Sequence, residues 1–144
     1  MPHRLIRDVI ERQKPLTASA NTTVAAAARM MKKRNVGALM VVDGGRLTGI
    51  FTERDALFRV LGESRDPEKT RVADVMTADP LTIDPDKAVG HALLMMYDGG
   101  FRHVPVVEQG RPLGMISARD ALGPELQEFQ TELEHREHIG EVMR

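Results

Sequence analysis

Gly49-Ile50-Phe51-Thr52-Glu53-Arg54-Asp55-Ala56-Leu57 returns 65 residues later as Gly114-Met115-Ile116-Ser117-Ala118-Arg119-Asp120-Ala121-Leu122. Outward from this stretch, residues 15–57 and 80–122 align at the same shift without a gap. Pro-Leu-Thr meets Pro-Leu-Thr, Met-Met meets Met-Met, Val-Val meets Val-Val, and 16 of 43 positions are identical. Self-similarity at this level marks a tandem of one folding unit. Each copy ends on a small hydroxyl residue, Thr52 or Ser117, followed three positions later by Asp55 or Asp120. A site built there is expected in duplicate.

The unit reads as strand, helix, strand, strand, helix. After an extended Pro15-Leu16-Thr17, Asn21-Thr22-Thr23 offers an N-cap and Val24, Ala27, Ala28 and Met31 recur at helical spacing until Asn35 and Gly37. Two apolar runs, 38–42 and 47–51, flank Asp43-Gly44-Gly45 and predict a hairpin. A shorter helix from Thr52 to Leu61 is expected to turn Ala56, Leu57 and Val60 inward. The second copy repeats the order, with Asp84 or Asp86 as helix cap and a stop at Gly99-Gly100. We therefore expect an α/β (α+β) fold of two β-α-β-β-α repeats, residues 1–62 and 72–122, joined by a polar linker, 63–71. Asp74-Val75-Met76 leads into the second repeat as Asp8-Val9-Ile10 leads into the first. Neither repeat buries enough surface alone, so the two are expected to share a core.

Composition narrows the function. Of the 144 residues 42% are hydrophobic and only 3% aromatic, with nine Met, which describes an aliphatic core. A net charge of -1 argues against nucleic-acid and membrane partners recruited by bulk charge. The absence of cysteine excludes disulfides and thiolate chemistry and fits a cytoplasmic protein, as does an amino terminus with no apolar leader. No catalytic constellation is present. Ser117 has no adjacent base, no glycine-rich phosphate loop occurs, and His135 and His138 lack a third metal ligand, so the chain is not expected to be an enzyme.

The order of elements, the segment Arg102-His103-Val104-Pro105-Val106-Val107 and the duplicated Gly-hydrophobic-hydrophobic-Thr/Ser-x-x-Asp resemble the CBS domain, a module found as tandem pairs. The resemblance covers about residues 5–122. It implies two sheets packed about a pseudo-twofold axis with two equivalent clefts between the copies.

Spaced three apart, Thr52 and Asp55, like Ser117 and Asp120, have the pattern of a helix capping box, which needs no ligand. The resemblance implies a second role, in which these four residues hold the ribose of an adenine nucleotide. An ionised carboxylate is acceptor-only and suits a cis-diol. By the same resemblance adenine lies against Thr17, Ala18, Leu39 and Met40 in one cleft and against Thr82, Ile83, Val104 and Pro105 in the other. The resemblance also implies phosphate contacts from Arg102 and His103, with Arg54 and Arg119, each one residue before the Asp, expected in the same region. Because Gly37-Ala38 and Met40 replace Arg102-His103 and Pro105 in the first copy, the second cleft is expected to be the better furnished.

The tail, 123–144, places Leu126, Phe129 and Leu133 at helical spacing and predicts an amphipathic helix. Together with the resemblance it suggests a homodimer. The expected function is a regulatory module that binds AMP, ADP, ATP or NAD(H), uses no catalytic cofactor or metal, and signals to a regulated protein the sequence does not name. The alternatives are a ligand-free dimeric scaffold and an S-adenosylmethionine binder.

Overall fold

Val24, Ala27 and Met31 are buried on one face of helix α2 (Val24–Arg34), and the equivalents 65 residues on, Val89, Ala92 and Met96, are buried on α5 (Val89–Gly99). The computed structural model describes residues 4–121, 123 and 133–135. Apart from Leu133, the stripe expected in the tail lies outside the described residues. Thr23 caps α2 by accepting from the Ala26 N–H at 3.2 Å, and the helix ends at Asn35 in the left-handed conformation, φ 53°. Gly100, φ 70°, ends α5.

Strands β2 (Ala38–Asp43) and β3 (Arg46–Thr52) form the first hairpin, and β5 (His103–Glu108) and β6 (Arg111–Ser117) form the second. Their registers are identical after the 65-residue shift. Ala38 pairs with Thr52 and His103 with Ser117, and each hairpin carries a bulge, between Val41 and Val42 or Val106 and Val107. Strand β1 (Thr17–Ala18) joins β2 in parallel, Ala18 opposite Val41, as Ile83 bridges in parallel to Val106. The antiparallel strand β4 (Thr77–Ala78) covers the other edge of β3.

The lead-in helices cross over. Helix α1 (Ile6–Ile10) buries Ile6 and Ile10 among Ile83, Val89, Val104 and Ile116 of the second repeat. Helix α4 (Val72–Val75) buries Val72 and Val75 among Val24, Leu39, Phe51 and Val60 of the first. Backbone bonds mark the same exchange: Val24 N–H donates to the Thr70 carbonyl at 2.8 Å, and Val89 N–H to the Arg4 carbonyl at 2.9 Å. Helix α1 is also clamped by Arg7, which donates to Asp86 at 3.0 Å and Glu108 at 2.8 Å.

Two local expectations are corrected. Neither Asp84 nor Asp86 caps α5: its N-cap is Ala88, without a side-chain bond, while Asp84 accepts from the Asp86 N–H at 2.8 Å. The carbonyl of Arg4 already serves the first helical N–H, so no side-chain cap is needed there. Leu57 points outward and is 53% exposed. Helix α3 (Glu53–Asp55) passes directly into a π-helical stretch, Ala56–Leu61, whose wider turn carries Leu57 off the inward face and leaves Val60 buried.

Candidate functional site

At the end of β3 the chain turns from strand to helix at Thr52, and the turn is held by a closed set of bonds. Thr52 N–H donates to Asp55 Oδ2 at 2.9 Å, the Thr52 hydroxyl donates to the same oxygen at 3.2 Å, and Asp55 N–H donates to Thr52 Oγ1 at 3.2 Å. The capping box is thus complete, and Asp55 is only 8% exposed. Its second oxygen, Oδ1, faces Arg59 Nε at 3.7 Å and keeps acceptor capacity. Arg59 in turn donates to the Val75 and Met76 carbonyls at 3.1 and 3.3 Å, tying the π-helical stretch to the end of α4.

This turn forms one wall of an open cleft of about 1200 Å³. Across from it are Thr77, Asp79, Pro80 and Leu81 from the start of the second repeat, and Gly99 to His103 from the end of α5 and the start of β5. Leu57, Phe58, Pro80, Leu81 and Phe101 supply apolar surface, and Arg54 stacks on the Phe58 ring at 5.3 Å from its centroid.

The cleft gathers Thr52, Arg54 and Asp55 of the first repeat with Arg102 and His103 of the second. The grouping therefore runs across the repeats and joins Arg102 and His103, expected to furnish the second cleft, to the hydroxyl-x-x-Asp signature of the first. Ser117, Arg119 and Asp120 do not line this cleft. Asp120 N–H donates to Ser117 Oγ at 3.1 Å, the same capping bond as in the first signature, and Asp120 and Arg119 are exposed. The counterparts of Leu57 and Arg59 at 122 and 124 lie outside the described residues.

None of the eight adenine candidates lines the cleft. Leu39 and Val104 are fully buried in the two cores, and Ala18 and Ile83 belong to the same cores, so they present little side-chain surface to a ligand. Met40 and Pro105 are also buried, Thr17 is half-buried and Thr82 exposed. The apolar wall that sequence reasoning missed is Pro80-Leu81 with Phe58 and Phe101. Its signal was the repeated Pro-Leu-Thr, two residues before the pair chosen.

His103 is half-buried, and burial holds its imidazole below the usual 6.5. The carboxylates of Glu53 and Asp120 oppose that shift, and Arg102 adds to it. His103 therefore senses one acidic group from each repeat. Among the described residues no cluster of three or more metal-ligating side chains occurs, and no helix is long and apolar enough to cross a membrane.

Comparison with known proteins gives a consistent result. The CBS domain family profile matches residues 6–62 and 72–123. The sequence is 36% identical over 124 residues, 83% of this chain, to the CBS domain-containing protein CBSX3, mitochondrial, of Arabidopsis thaliana, and spans 60% of that protein. It spans 20% of the Arabidopsis relative CBSCBSPB2. It is 35% identical over 104 residues to the CBS domain-containing protein YhcV of Bacillus subtilis, covering 72% of this chain and 74% of that one. The CBS domain pair of protein MJ0100, solved with 5′-methylthioadenosine and S-adenosyl-L-methionine, superposes with a TM-score of 0.74 at 30% identity over 83% of this chain and 93% of that one.

Proposed function

The chain belongs to the CBS-domain family, and we propose that it is a regulatory module that binds an adenine nucleotide in the Thr52–Asp55 cleft and relays occupancy to a partner protein. The observation that carries this reading is the junction of a buried, preorganised carboxylate with Arg102 and His103 in one cleft. Asp55 Oδ1 accepts from the ribose diol, Arg102 and His103 face the phosphate, and the base lies against Pro80, Leu81 and Phe101. AMP, ADP, ATP and NAD(H) all carry these groups. The module performs no chemistry of its own and needs no cofactor. Signalling requires that ligand bind two conformations of the repeat pair unequally.

The same cleft supports a second reading, an adenosyl ligand without phosphate, because the similar MJ0100 pair was solved with two such compounds. For the partner surface, Phe58 and Leu61 on the π-helical stretch and Leu94 and Tyr97 on α5 are exposed, Tyr97 by 86%. Apolar surface of this kind fits a homodimer. Calorimetry of the purified chain against AMP, ATP, NADH and S-adenosylmethionine tests the reading, with sedimentation for the dimer. Failure of all four to bind at millimolar concentration would leave the ligand-free scaffold.

A further inference from the structure

Gly37 and Arg102 occupy equivalent positions in the two repeats, as do Glu53 and Ala118, and the backbone around them is the same. Glu53 N–H donates to the Gly37 carbonyl at 2.9 Å and Ala118 N–H to the Arg102 carbonyl at 2.8 Å. The side chains are exchanged. In the first repeat the acid is on the helix start and the strand side is bare, while in the second the base is on the strand side and the helix start is bare. The bare position matters: a Cβ at residue 37 would lie 2.9 Å from Glu53 Oε1, so the carboxylate folds into space that only glycine leaves open. Glu53 lines the same cleft as Arg102 and His103, and among the described residues it has no ion pair.

The charge in this cleft is nearly balanced. Three arginines and three carboxylates line it: Arg54, Arg59 and Arg102 against Glu53, Asp55 and Asp79. Arg59 is committed to Asp55 and to the end of α4, and Arg54 to the Phe58 ring. His103 is held toward its neutral form by burial. Arg102 has no ion pair among the described residues, so Arg102 and the exposed, ring-stacked Arg54 are the cations open to a phosphate, and the unpaired Glu53 in the same cleft offsets one of them. A phosphate monoester brings about two negative charges at neutral pH, and each further phosphate adds roughly one more. We infer that Glu53 is a charge gate that restricts this cleft to adenosine ligands carrying at most one phosphate group. This inference rests on the adenine-nucleotide reading of the cleft and names the ligand class within it.

The test is a calorimetric series with adenosine, AMP, ADP and ATP, without magnesium, at pH 7.5 and fixed ionic strength, on the wild-type chain and on Glu53→Gln. Removing one carboxylate charge from the cleft that would hold the phosphates should alter affinity by roughly tenfold in a partly solvated site. In the wild type, affinity should fall from AMP to ATP. In Glu53→Gln the ATP-to-AMP affinity ratio should rise about tenfold, with the adenosine affinity as the internal reference and the melting temperature as the folding check. Wild-type chain that binds ATP as tightly as AMP overturns the inference, and so does a ratio unmoved by Glu53→Gln. Glu53→Ala, if Gln distorts the turn, must give the same change in ratio. Wild-type chain that binds none of the four defeats the nucleotide reading itself, and the gate with it.

Discussion

The side-chain amide of Gln13 and the backbone of Met115 exchange two hydrogen bonds, Gln13 Nε2 to the Met115 carbonyl at 3.1 Å and Met115 N–H to Gln13 Oε1 at 3.0 Å. Met115 is the counterpart of Ile50, whose outer-edge partner is Thr77 of β4, from the start of the second repeat. One glutamine thus does for the edge of β6 what a two-residue strand does for β3. Gln13→Ala leaves a half-buried N–H and C=O without partners and should destabilise the fold by about 1–3 kcal/mol. A lower midpoint of urea unfolding, with unchanged slope, would register it. Gln13→Glu keeps the acceptor and loses the donor, and should fall in between.

Asp55 and Asp120 are equal in sequence and unequal in structure. Asp55→Ala removes a buried cap and a ligand acceptor together, so it should cost about 1–2 kcal/mol of stability and at least tenfold in affinity for AMP. Asp120→Ala, at an exposed position, should cost no more than about 0.5 kcal/mol and leave the affinity of the Thr52–Asp55 cleft within about twofold. Equal losses of affinity from the two variants would contradict the cross-repeat grouping.

His103 makes a signed prediction about pH. Its folded-state value lies below 6.5, so as pH falls through 6.5 the unfolded chain takes up the proton first. The stability associated with neutral His103 is complete above that value and is lost progressively on acidification toward the folded value. His103→Gln should remove this part of the acid sensitivity, read as a smaller fall in melting temperature between pH 7.5 and 5.5. A bound phosphate favours the imidazolium, so AMP should bind more tightly at pH 6 than at pH 8, with proton uptake visible as a buffer-dependent binding enthalpy.

Gly49 is a packing requirement. A methyl group there would overlap the sulfur of Met76, and one at Gly114 would lie 3.0 Å from the Ile10 Cβ. Gly49→Ala should therefore destabilise by about 1–3 kcal/mol. Gly49→Ala with Met76→Ala should recover part of the loss in a double-mutant cycle.

Much of the fold was legible because duplication doubles every signal. The helix periods at Val24 and Val89, the paired apolar runs of each hairpin and the hydroxyl-x-x-Asp corner each appear twice, and the structure repeats them to the level of a shared bulge. The caps of α5 were misread because a distant carbonyl, that of Arg4, supplies what a local side chain otherwise would. Leu57 was misread because a 3.6-residue period does not describe a π-helical turn. The site was half legible. Thr52, Asp55, Arg102 and His103 were all picked out, but aligning two copies pairs each residue with its counterpart. A cleft between copies is built from residues that are not counterparts, and no alignment of the repeats pairs those.

The exchanged lead-in helices also set an order of events during synthesis. Ile6 and Ile10 are made about 100 positions before Val104 and Ile116, which help to bury them. The first repeat closes once Val72 and Val75 exist, while α1 has no core to enter until β6 is complete. The nascent chain therefore carries the apolar face of α1 without its native core until the second hairpin has been made.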